Sequence, residues 1–305
     1  MKLIDLFLLF LLIVTFGIGV YVLYLNFPEP STGFEELYAN ASASSPNLSG
    51  QFFPNMRFTE PIISYSIEEN CIAKKKEDAL LAFQILQAKT ILKFYQKSDM
   101  SDIQTYCSKL PPIPDQEKYY AAGEGGPTKV INATNFYIIS KGEISLFEDD
   151  QCETPQIALH EIIHALGFEH NKNESSIMFP ITNCRQVLDQ YIVDEINRVY
   201  SIPSYPDLAI EKLSGNKTGR YLSFEIRIVN NGLKDASPAT LNVYANGVLI
   251  NKFDIDQLDL DKKERLAIKN LRIPKEASII KFEIQTAEKE ISKENNIAEI
   301  ELAES

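Results

Sequence analysis

The chain of 305 residues holds three histidines, and all of them fall in the stretch HEIIHALGFEH, residues 160–170. On a helix, His160 and His164 lie one turn apart on the same face. Two imidazoles so placed can grip one metal ion. Gly167 permits a sharp left-handed exit that a side chain would oppose. The chain then turns back, so that His170 can supply a third nitrogen. Three neutral imidazoles leave the fourth position of a tetrahedral Zn2+ for water. Glu161 stands beside the first ligand, where its carboxylate can take a proton from that water and later pass it to a leaving amine. A bare HExxH is a weak signal. The complete HExxHxxGxxH pattern, with no histidine outside it, predicts one catalytic zinc ion held by His160, His164 and His170, with Glu161 as the expected general base.

Several elements must position these residues. A helix is expected to start near Pro155, with Thr154 as its N-cap and Pro155 at the first helical position, and to stop near Gly167. Upstream, 61–67, 91–96, 102–106, 129–139 and 143–147 read as strands, and 76–89 reads as a helix with apolar residues at helical spacing. The Pro- and Gly-containing stretch 109–127 reads as a loop. A further helix is expected over 186–199, followed by a linker, SIPSYP, at 201–206. Beyond it, β-type runs at 207–213, 220–230, 239–247, 264–271, 279–286 and 297–302 predict an antiparallel β-sandwich.

The net charge of −12 argues against a nucleic-acid partner, which needs clustered Lys and Arg. Residues 6–25 are almost wholly apolar, long enough to span a bilayer core. Lys2 precedes this run, while Glu29, Glu35 and Glu36 follow it, which puts the N-terminus in the cytoplasm and the bulk of the chain outside. A cleaved signal peptide is the competing reading, but Tyr24, Leu25, Asn26, Phe27 and Pro28 make a poor cleavage context. The favoured reading is a single-pass signal anchor over 1–27 and a flexible stalk over 28–57, rich in Pro, Ser, Asn, Ala and Gly. The folded parts then run over 58–203 and 204–305. Cys71, Cys107, Cys152 and Cys184 suit an oxidising compartment, and the residues alone leave three pairings open. Glycosylation sequons begin at Asn40, Asn47, Asn132, Asn173 and Asn216.

HEIIHALGFEH followed by SSIMFP resembles the metzincin clan of zinc metalloproteases, nearest to its matrixin-like members. GEISLFEDD (142–150), SDIQTY (101–106) and ILKFY (91–95) resemble strands of the same domain. The resemblance implies an α+β domain with a mixed twisted sheet, an active-site helix, a methionine turn at Met178 and a C-terminal helix. It implies a protein or peptide substrate laid along an edge strand, here 129–139, and an S1′ wall from Phe179, Pro180 and Ile181. In that topology Cys152 falls opposite Cys184, and Cys71 opposite Cys107. Departures from the family pattern are Ile163, where a small residue is usual, and Ser145, where animal matrixins often carry a structural-zinc histidine. No second zinc site of that kind is expected. Cys71 lies in ENCIAK and not in a cysteine-switch motif, and Pro180 replaces the tyrosine of astacin-like enzymes. Asp149 and Asp150 offer weak support for Ca2+.

The last hundred or so residues resemble CARDB-like, immunoglobulin-like surface sandwiches through PDLAI, FEIRIVNNG and SKENNIAEIEL. That resemblance implies adhesion, docking of a surface ligand, or spacing. The expectation is a membrane-anchored extracytoplasmic metalloendopeptidase. A non-catalytic surface adhesion protein with a structural zinc is the alternative, and an enzyme that mainly cuts its own stalk is a third possibility.

Overall fold

A computed structural model of the chain describes residues 50–108, 123–147, 152 and 154–302. The apolar run 6–25, most of the stalk, Asp149 and Asp150 lie outside these residues. Among the described residues, no helix is long and apolar enough to cross a membrane.

Strands β1 (Met56–Phe58), β2 (Ile62–Ile67), β3 (Lys93–Gln96), β4 (Ile103–Ser108), β5 (Gly123–Ala133) and β6 (Phe136–Phe147) form one mixed sheet. β2 pairs in parallel with β3 and β4, and both β4 and β1 pair in parallel with β6. β1 faces residues 137–139 of β6 and β4 faces residues 142–147, so the two share one side of it. β5 runs antiparallel along the other side and forms the sheet edge. Helix α1 (Ala73–Lys89) buries Ala79, Ala82, Phe83 and Leu86, and Phe83 stacks on Tyr65 of β2 at 4.1 Å.

The structure corrects the sequence expectations at several places. The single strand expected over 129–139 is a hairpin, with the turn at Thr134 and Asn135 between β5 and β6. β5 also takes in GEGGP, which composition had assigned to a loop. Helix α2 (Gln156–Ala165) has Pro155 at its N-cap and no side-chain cap, so Thr154 does not fill that role. Helix α3 (Gln190–Tyr200) starts later than expected, because Asp189 accepts a hydrogen bond from the Ile192 N–H at 3.2 Å and so begins the helix there. Residues 50–57 are part of the folded body and not stalk, with Met56 fully buried.

In the C-terminal part, β11 (Lys263–Arg272), β8 (Tyr221–Asn230) and β7 (Leu208–Thr218) form one sheet in that order. β10 (Val248–Ile255), β9 (Ala239–Ala245), β12 (Ile279–Gln285) and β13 (Ile297–Glu301) form the other. All pairs are antiparallel. Alternate residues point inward: Leu222, Phe224, Ile226 and Ile228 from β8 share a core with Leu241 and Val243 of β9 and Ile280, Phe282 and Ile284 of β12. β10 was not anticipated. Its signal was the Asn246-Gly247 pair, both at positive φ (49° and 82°), which is the two-residue hairpin turn that right-twisted strands favour.

The stretch 201–206 is not a free linker. Leu233 N–H donates to Tyr205 O at 2.8 Å and Ile291 N–H to Pro206 O at 3.1 Å. Leu233 packs with Ala133, Phe136 and Ile138 from the β5–β6 hairpin end, so apolar contact joins the two halves. Cys71 is bonded to Cys107 and Cys152 to Cys184.

Arg57 organises this joint from inside. Its side chain is fully buried. Nη1 donates to the carbonyls of Val199 and Ile202, both at 2.8 Å, Nη2 to Thr59 O at 2.9 Å, and Nε to Phe58 O at 2.8 Å. Its guanidinium carbon lies 4.6 Å from the centre of the Tyr200 ring. One side chain thus ties β1 to the end of α3 and to the residues leading into the sandwich. Arg57→Met retains the length of the side chain but leaves those carbonyls unpaired in the interior. Stability is expected to fall by about 3 kcal/mol or more, since each orphaned group costs on the order of 1–3 kcal/mol. Denaturant unfolding of the variant against wild type measures this.

Candidate metal centre

Helix α2 is apolar on nearly every face: Ile157, Ala158, Leu159, Ile162, Ile163 and Ala165 are all buried. A helix of this kind is held rigidly by its surroundings. It presents His160 and His164 from one face, and both are buried. It ends through Gly167, whose φ of +95° suits a residue without Cβ; a Cβ there would also lie 2.8 Å from Met56 Cγ. The reversal brings His170 back to the helix, where its ring is exposed.

The three Nε2 atoms converge. His160 and His164 lie 2.9 Å apart, and His170 is 3.1 Å from each. Ligands about 2.0–2.1 Å from a tetrahedral zinc sit roughly 3.3 Å from one another, so the triangle is close to that size. The tautomers suit ligation as well. His160 Nδ1 meets Ile177 O at 2.5 Å and His164 Nδ1 meets Phe168 O at 2.7 Å. A carbonyl only accepts, so each Nδ1 carries the proton and each Nε2 keeps its lone pair. Burial lowers the proton affinity of all three rings. His170 falls to about 4, helped by His160, and His164 lies well below the usual range. The rings are therefore neutral near pH 7, as metal ligands must be. These ligand atoms lie close enough together to hold one metal ion.

Glu161 is 6% exposed, and its carboxylate accepts no hydrogen bond from the described residues. Burial, then the neighbouring Glu124, pushes its carboxyl up to about 8. A bound dication would favour the ionised form and pull this value down. The cover over Glu161 is β5. A Cβ on Gly123 would lie 2.7 Å from the Glu161 carboxylate, and one on Gly125 would lie 2.4 Å from its backbone oxygen. The strand lies against the helix only because it is bare at both positions. The spacing in GEGGP carried this signal, since glycine in a strand often marks close backbone approach.

Met178 is fully buried next to Ile177, whose carbonyl orients His160. Of the expected wall residues, Phe179 is half-buried while Pro180 and Ile181 are exposed, so the latter two are not core residues. Gln186, buried and not singled out by the sequence, holds this loop by donating to Ile181 O at 2.9 Å and accepting from Asn183 N–H at 3.0 Å. Phe52 was also missed. Its ring stacks on His164 at 5.8 Å, and its N–H donates to Gly167 O at 2.9 Å. Nothing in its local sequence pointed to the site.

No curated protein matches the chain. Among solved structures, it is similar to high choriolytic enzyme 1, a hatching enzyme zinc-protease from the medaka fish Oryzias latipes, at 16% identity over 47% of this chain and 90% of that one, TM-score 0.32. It is also similar to a CARDB domain from Pyrococcus furiosus solved with di-metal ions, at 18% identity over 32% of this chain and 90% of that one, TM-score 0.28. A putative cell surface protein domain from Methanosarcina acetivorans aligns at 17% identity over 33% of this chain and 95% of that one, TM-score 0.28. The model of the matrixin peptidase family matches residues 57–201, the span that contains the sheet, the three histidines and helix α3. Residues 57–201 are matrixin-like.

Proposed function

We propose that the protein is a zinc metalloendopeptidase that hydrolyses peptide bonds of protein or peptide substrates. The observation that carries this reading is the convergence of three Nε2 atoms beside a buried carboxylate. The chemistry supplied by zinc at His160, His164 and His170 is Lewis acidity toward a water molecule and the scissile carbonyl. Glu161 takes the proton from the attacking water on its carboxylate and returns it to the leaving amide nitrogen. The exposed edge of β5 offers backbone groups to an extended peptide, which adds as a further strand. Phe179, Pro180 and Ile181 face the residue that follows the cut bond.

We further propose that the chain is anchored by residues 6–25 with its folded part outside the cytoplasm. Two bonded cysteine pairs support an oxidising compartment. The second half is then free to dock a surface ligand or to act as a spacer.

Glu161→Gln should keep one equivalent of zinc and lose about 10²–10⁴-fold in cleavage rate of an unfolded protein substrate. Unchanged cleavage removes Glu161 from the mechanism, and a wild-type chain that holds zinc but does not cleave supports the adhesion alternative. Chelation of the wild-type protein should stop cleavage, and added zinc should restore it. For the anchor, the full chain expressed in cells should stay with the membrane pellet through an alkaline carbonate wash; recovery in the supernatant would refute it.

A further inference from the structure

Behind the metal ligands, one hydroxyl joins three separate segments. Ser176 is fully buried, between His170 and Met178 in sequence. Its Oγ accepts from Asn171 Nδ2 at 2.7 Å and from the Met178 N–H at 3.0 Å. Its own proton goes to Asp189 Oδ2. A serine hydroxyl has two lone pairs and one proton, so every valence is used. Asp189 is committed on both sides as well, because its Oδ1 caps helix α3 through the Ile192 N–H. Asn171 directly follows His170, and its backbone N–H donates to Met178 O at 2.8 Å. Ile177, the neighbour of Ser176, gives the carbonyl that fixes His160.

We infer that Ser176 and Asp189 are positioning residues for the metal centre. They lock the segment carrying His170 to the methionine turn, and both to the first turn of α3. Neither touches the ligand nitrogens. They act through Asn171 on His170 and through Ile177 on His160, holding the Nε2 triangle closed before metal arrives. A cap alone would not require Asp at position 189, since Asn caps equally well. The hydroxyl does require it. With both lone pairs of Ser176 taken, an amide NH2 in place of Asp189 Oδ2 would set donor against donor.

This inference rests on the zinc reading, and the test separates the two. Zinc affinity of the full chain is measured by competition with a chromophoric chelator, and the visible absorption of the Co2+-loaded protein is recorded, for wild type, Ser176→Ala and Asp189→Asn. Both variants should bind zinc about 10–100-fold more weakly, the usual effect of removing a group that orients a ligand. Their cobalt bands should shift, because His170 is no longer held in place. Asp189→Asn preserves the cap and the volume, so it reports on the network if Ser176→Ala does not fold. Folded variants with wild-type zinc affinity and an unchanged cobalt spectrum would overturn the positioning role. A wild-type chain that binds no zinc would overturn the metal reading itself, and this inference with it.

Discussion

The structure depends on two hydrogen bonds that fix ring tautomers. His160 Nδ1 and His164 Nδ1 each donate to a backbone carbonyl, from Ile177 and Phe168. Without those bonds the imidazoles could rotate or carry their protons on the ligand side. The two carbonyls come from different places: one from the turn that holds Met178, the other from the reversal after Gly167. The helix supplies the two rings, but the chain that follows it decides how they point. This explains why the family pattern extends well past HExxH. Glycine, third histidine and methionine turn are parts of one orienting frame.

The same frame gives Glu161 its character. A carboxylate buried under a strand and facing Glu124 holds its proton unusually tightly. In a rigid interior such a group would cost stability. Here it is kept because α2 is locked on its apolar faces and β5 is bare where it crosses. Stability is invested in the surroundings, and the strained chemistry is confined to one side chain.

Much of this was legible in advance. The histidine spacing marked the centre, because ligand geometry on a helix maps directly onto residue number. Period-two alternation marked most strands of the sandwich. What stayed hidden depended on distant partners. Arg57 looked like the end of a stalk, since no local pattern reveals that carbonyls some 140 residues later will surround it. Gly123 and Gly125 looked like a loop because their purpose is to leave room for another element. Asp189 shortened α3 because its cap bond outweighed the helical pattern that began at Gln186. The hairpin between β5 and β6 was misread as one strand because Thr134 and Asn135 carry no glycine or proline to mark the turn.

The residues ahead of the matrixin-like segment bear on where the chain tolerates a cut. Gly50, Gln51 and Phe52 form a short brace on the exit from the active-site helix, with Glu169 N–H donating to Gly50 O at 2.9 Å and Phe52 against His164. A cut before this brace would leave the support of His164 intact. A cut only a few residues later would strip the support from a zinc ligand while leaving the family segment whole. The side of Gly50 on which the chain is cut would thus decide whether the helix exit keeps its brace.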